Sequence, residues 1–159
     1  MNSPLLWRRP SLRVFRMPVP HSIDIPPALL YIEPKAPMKG LGKMKIIHYK
    51  EAEVKTYSGN APIGVTGRVA IGKDDGAKNL CMRVFELEPG TYTGRHAHDW
   101  EHEVFVHSGK GSILREGKWV PFVTGSVIFI PGGEEHQLRN DETELLTFVC
   151  VIPTGVPEM

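Results

Sequence analysis

At 159 residues the chain is long enough for one domain with a buried core and short for two of ordinary size. It is 41% hydrophobic and 23% charged, with no apolar run of membrane-spanning length, so a transmembrane protein is excluded as an expectation. The net charge of +1 hides an asymmetry: residues 1–43 carry a balance of +5 and residues 44–159 a balance of −4. A mildly acidic body gives no reason to expect nucleic-acid binding.

Residues 1–43 contain eight prolines, four arginines among them at Arg8, Arg9, Arg13 and Arg16, and no sustained hydrophobic period. Arg8 and Arg9 are not followed by an apolar stretch, and the prolines break any amphipathic helix, so neither export nor transit signal is well formed. The segment is expected to be a loosely ordered arm, part of it packing on a partner subunit, or an extension upstream of a natural start at Met44. A domain covering 44–159 follows.

From Met44 the chain reads as short strands separated by turn residues. Strands are predicted at 45–49, 63–71, 79–88, 91–97, 101–107, 111–115, 118–122, 126–131, 135–140 and 144–152. Turns are expected at Ser58-Gly59-Asn60, Lys73 to Gly76, Pro89-Gly90, Ser108-Gly109, Glu116-Gly117, Pro131 to Gly133 and Asn140-Asp141. No window supports a long amphipathic helix. Many short strands imply an all-β sandwich or barrel, which also disposes of unpaired edges. Cys81 and Cys150 stand far apart inside apolar runs, in no metal or redox spacing. Buried free thiols in a reducing cytoplasm are the expectation.

Four of the seven histidines fall in two short segments. In the first, period-2 alternation puts His96 and His98 on one face, where both can grip a single cation. His102 follows four residues later, across a short turn, and shares its strand face with Val104 and Val106. In a closed barrel, a histidine from a later strand, His136, completes the set from the opposite wall. Imidazole nitrogen suits Mn, Fe, Co, Ni, Cu or Zn rather than Ca or Mg. His21, His48 and His107 have no such surroundings and are expected to be solvated or packing residues.

These segments resemble the two signatures of the cupin superfamily, G-x5-H-x-H-x3,4-E-x6-G and G-x5-P-x-G-x2-H-x3-N. The second is matched at Gly125, Pro131, Gly133, His136 and Asn140. The first is matched at Gly90, His96, His98 and Gly109, with His102 where counting back from the closing glycine places the usual glutamate. Glu103 is one residue too late and alternates away from His102, so it is expected to face outward. The resemblance covers about residues 44–153 and is closest to small single-domain cupins with four histidines, a group known for bound manganese.

The resemblance implies a double-stranded β-helix (cupin or jelly-roll barrel) and one divalent metal on His96, His98, His102 and His136, with Mn or Fe favoured over Zn, Ni, Co and Cu. It also implies a cavity lined by Arg83, Val104, Phe148, Cys150 and Ile152. An inward Arg83 suits an anionic substrate; a strand arginine paired at the barrel surface is an equal alternative. Glu101 and Glu103 are expected to be solvated or to support a ligand imidazole, and Trp100 to sit at the rim or pack on the barrel. Outward apolar residues such as Phe105 need cover from a second subunit, hence a homodimer. The leading functional expectation is a metal-dependent oxidoreductase of dioxygenase type, using O2 on a small organic molecule. The rivals are a non-redox Lewis-acid isomerase or lyase and a non-enzymatic small-ligand binder.

Overall fold

The structure is a computed structural model that describes residues 43–55 and 64–159, all within one unit spanning 39–159. All but Lys43 of the expected arm over residues 1–43, and the turn at Ser58-Gly59-Asn60, lie outside the described residues. Among the described residues nine strands appear in chain order: β1 (Val54–Lys55), β2 (Val65–Ile71), β3 (Leu80–Leu87), β4 (His102–Ser108), β5 (Lys110–Arg115), β6 (Lys118–Val123), β7 (Val127–Ile130), β8 (Leu138–Arg139) and β9 (Leu146–Pro153). They form a six-stranded sheet in the order β1-β2-β3-β9-β4-β7 and a three-stranded sheet in the order β6-β5-β8. Every pairing is antiparallel, and the architecture is an all-β jelly roll.

The core follows from alternation along these strands. Leu146, Phe148, Cys150 and Ile152 of β9 point inward, beside Cys81, Phe85 and Leu87 of β3 and Val104 and Val106 of β4. Ile113, Phe122 and Leu138 close the core from the smaller sheet. Phe85 and Phe148 are cross-strand partners, and their rings stack with centroids 5.2 Å apart. Burying each such side chain is worth about 1.5–3 kcal/mol. The register then sets the chemistry, because Arg83 pairs with Cys150 across β3 and β9, and Cys150 pairs with Val104 across β9 and β4.

Three predicted strands differ. Residues 45–49 run extended without joining a sheet and lead into a single 3-10 turn, Tyr49–Glu51. The His48 ring accepts from Lys50 N (3.3 Å) and Glu51 accepts from His48 N (3.1 Å), so local capping takes backbone donors that a ladder would need. Residues 91–97 form only isolated bridges, Tyr92 to Arg139 and His96 to His136. Residues 135–140 contract to β8. The cause is shared: the carbonyls of Gly94 and Glu134 turn away from ladder pairing to accept from ligand-type imidazoles, each at 2.8 Å. The short strand β1 was not predicted.

The signature's Asn140 is structural. It is 1% exposed, donates through Nδ2 to Leu87 O and Glu144 O, and accepts from Glu142 N. Those bonds tie the ends of β3 and β8 to the turn before β9 and satisfy backbone groups that burial would otherwise strand.

Candidate metal centre

His102 opens β4, the first residue of a sheet face that continues through Val104 and Val106. His96, His98 and His136 sit on irregular backbone, held by cross-links rather than by a ladder. His96 and His136 exchange both main-chain hydrogen bonds (3.2 and 2.9 Å), and Gly133 N donates to His98 O at 2.7 Å. Gly133 has φ +83°, a left-handed conformation that glycine adopts without strain. The neighbouring Gly132 lies so close to the Asp99 carbonyl that an added Cβ would collide with it. Bare backbone is therefore needed where the two histidine segments meet.

The four side chains converge. One ring nitrogen from each of His96, His98, His102 and His136 lies within 4.8 Å of every other. His98 Nε2 and His102 Nε2 face each other at 2.6 Å, and His136 Nε2 is buried with no hydrogen-bond partner among the described residues. Lone pairs gathered this way, one of them orphaned, fit a shared cation. The carbonyls of Gly94 and Glu134 require an N–H at Nδ1 of His96 and His136, which leaves Nε2 of each free to ligate. Trp100 stacks on His98 with ring centroids 3.9 Å apart and planes nearly parallel, and fixes that ring's plane.

Burial reinforces neutrality. It pushes the pKa of His98 and of His136 below the ordinary histidine value. For His102, burial and then the Arg83 charge hold it down at about 3. Protons therefore compete weakly for these nitrogens near neutral pH. Among the described residues no glutamate joins the cluster. Glu103 and Glu101 are exposed, and imidazole support comes from main-chain carbonyls instead.

Arg83 is inward and 7% exposed, with no carboxylate partner among the described residues. Its Nη2 lies 3.1 Å from His102 Nδ1 and 3.0 Å from Cys150 Sγ. The guanidinium thus sits behind His102, on the ring edge away from the cluster. Val104, Phe148, Cys150 and Ile152 are packed into the buried core. A cavity of about 560 Å³ lies elsewhere, between β6 and β7, the edge strands of the two sheets. Ile113, Phe122, Val127, Phe129 and Ile130 line it, and His136 joins it to the cluster. Sequence alternation gave no signal that a gap separates these two strands.

Comparison with known proteins agrees with this geometry. The cupin domain model matches residues 83–152. An oxalate-binding protein of Thermotoga maritima is 37% identical over 68 residues, covering 42% of this chain and 56% of that protein. The alignment thus spans little more than half of that relative's length. Among solved structures, the polyketide cyclase RemF from Streptomyces resistomycificus superposes with a TM-score of 0.67 at 29% identity, covering 72% of this chain and 82% of that one. A predicted oxalate decarboxylase from Thermotoga maritima gives 0.60 at 28% identity, covering 69% and 99%. With both signatures, the jelly-roll topology and the family match over the strands that carry the site, residues 83–152 form a cupin domain.

Proposed function

We propose that this cupin is a metal-dependent enzyme that holds one divalent transition metal on His96, His98, His102 and His136 and acts on a small organic anion. The convergence of four ring nitrogens within 4.8 Å carries this reading. When bound, the metal would supply Lewis-acid polarisation of a substrate oxygen. Four neutral ligands leave its charge uncancelled, and the buried, carboxylate-free Arg83 adds a further positive charge nearby. Both favour an anionic group at the centre.

This chain's residues divide the remaining work. His96 and His98 approach from one loop and His136 from the other, while His102 anchors the set to the sheet. The apolar walls Phe122 and Ile130 suit the body of a substrate larger than a two-carbon dianion, since about 560 Å³ is the size of a pocket for drug-sized molecules. That size favours a substrate closer to the polyketide of the RemF cyclase than to oxalate. These neighbours, a polyketide cyclase and a predicted oxalate decarboxylase, are not dioxygenases by name, which favours non-redox chemistry.

Dioxygenase chemistry with Mn or Fe and O2 is the rival, because four ligands leave coordination positions open on an octahedral ion. The two separate in one assay. Turnover retained under strict anaerobiosis and with Zn supports the Lewis-acid reading; turnover that stops without O2 and consumes it when present overturns that reading. Metal analysis beside a His102→Ala variant tests the centre itself, since undiminished metal in that variant would sink the four-histidine set and bring Glu103 back.

A homodimer in the cytoplasm belongs to the same proposal. No described helix is long and apolar enough to cross a membrane. Phe105, Val127 and Phe129 expose 47%, 78% and 61% of their surfaces on the outer face of β4 and β7, where the register sets Phe105 opposite Val127. Burying such a patch against a second copy is the ordinary way to remove it from water. Sedimentation of wild type beside Phe129→Glu measures it: a monomeric wild type ends the idea.

A further inference from the structure

His102 differs from the other ligands in what stands behind its ring. His96 and His136 are backed by main-chain carbonyls, which only accept. His102 Nδ1 meets two side-chain atoms, Arg83 Nη2 at 3.1 Å and Cys150 Sγ at 3.0 Å, and these two lie 3.0 Å from each other. The three residues are 7%, 6% and 3% exposed for Arg83, His102 and Cys150.

Proton inventory decides how this triangle works. His102 Nε2 points into the cluster, 2.6 Å from His98 Nε2, so that nitrogen must offer its lone pair to a metal and the neutral ring must carry its hydrogen on Nδ1. A guanidinium has N–H donors and no acceptor. Arg83 therefore cannot take the Nδ1 hydrogen, and the sulfur is the one acceptor in contact with it among the described residues. Arg83 Nη2 is itself a donor within reach of the same sulfur. Two donors 3.1 Å apart are compatible when neither hydrogen points at the other nitrogen, which a common acceptor such as this sulfur allows.

We propose that Cys150 is the positioning residue for His102: its sulfur accepts from His102 Nδ1 and from Arg83 Nη2, and so selects the tautomer that leaves Nε2 free for the metal. This rests on the four-histidine metal reading above. The sheet, not a loop, sets the arrangement, since Cys150 is the cross-strand partner of Arg83 on one side and of Val104 on the other. His102 lies two residues from Val104 on the same face and so reaches Cys150 diagonally. Arg83 accordingly acts through the sulfur, holding it in place, rather than on substrate. Cys150 is thus more than an apolar filler in the core.

Three proteins separate this role from packing: wild type, Cys150→Ser, which keeps an acceptor, and Cys150→Val, which keeps apolar bulk and removes it. Dissociation constants for Co(II) and Zn(II) by chelator competition, the visible spectrum of the Co(II) form, and the thermal midpoint of metal-free protein are compared. Supporting residues behind ligand imidazoles change metal affinity about 10- to 100-fold. The expected result is a loss of that size in Cys150→Val with an altered Co(II) spectrum, and recovery of most of the affinity in Cys150→Ser. A packing role gives the reverse order, with Val retaining affinity and Ser losing it through a lower metal-free midpoint, and overturns the proposal. Equal affinities and spectra in all three also overturn it while leaving the metal centre standing. A wild type that takes up no metal fails the underlying reading itself.

Discussion

The ligands come from two kinds of backbone. His102 is part of a seven-residue strand whose partners β7 and β9 flank it on both sides, whereas His96, His98 and His136 sit on segments joined by single bridges. Exposure follows the same division only in part, for His96 is exposed, His98 intermediate, and His102 and His136 buried. A metal shared by the four would staple the irregular segments to the sheet. Metal binding should therefore matter more to the order of the loops than to that of the barrel, whose core of Leu87, Val106, Leu146 and Ile152 is fully buried without it.

The largest test of that contrast is to remove a ligand from each side. His102→Ala and His136→Ala are both expected to lower metal affinity by at least about 100-fold, measured by chelator competition, since each takes away a buried donor. The barrel is expected to survive: far-ultraviolet circular dichroism of both variants should match that of metal-free wild type. A variant that unfolds outright would place the stability of the sheet in the metal site and erase the distinction.

Next in size is Gly132→Ala. Its Cβ would strike the Asp99 carbonyl, so the bridge between the two histidine segments must open. Overpacking of this kind costs about 1–3 kcal/mol, and here the loss should appear in metal affinity as well as in the thermal midpoint. Unchanged affinity would mean the loops adjust independently of each other.

Acidification gives a smaller, graded effect. Burial first, and the Arg83 charge second, hold His102 at about 3, below its ordinary value of 6.5, and burial lowers His98 and His136 in the same direction. The unfolded chain thus binds more protons than the folded one between those limits. Stability of the metal-free protein must fall as pH drops from about 6.5 toward 3, and be fully present above that window. Thermal midpoints of chelated protein from pH 7 to 4 measure it; a flat profile would mean the imidazoles are solvated. Smallest of all is Glu103→Gln, expected to leave metal content unchanged, because Glu103 is exposed on the opposite strand face from His102.

The legible part of this protein was whatever depends on period and spacing. Alternation placed Phe148, Cys150 and Ile152 on one inward face, and the count back from Gly109 chose His102 over Glu103, as the structure's cluster has it. Illegible were the segments where side chains compete for main-chain groups. Strands over 45–49, 91–97 and 135–140 looked regular in sequence, yet capping by His48 and the carbonyls given to His96 and His136 interrupt them. Trp100 stacking on His98 was equally out of reach, since period says nothing about which ring a loop residue will meet.

Sequence alone thus pointed to the barrel, to the four candidate ligands and to the shared faces within 79–88, 101–107 and 144–152, because a two-residue repeat and fixed motif spacings act locally. Only the tertiary structure decided what lies behind and beside those ligands. It set Arg83 and Cys150 at the back of His102 through the β3-β9-β4 register, and it placed a cavity between β6 and β7. Those outcomes depend on which strands pair and which edges stay apart. Such contacts join residues tens of positions distant, and no local pattern encodes them.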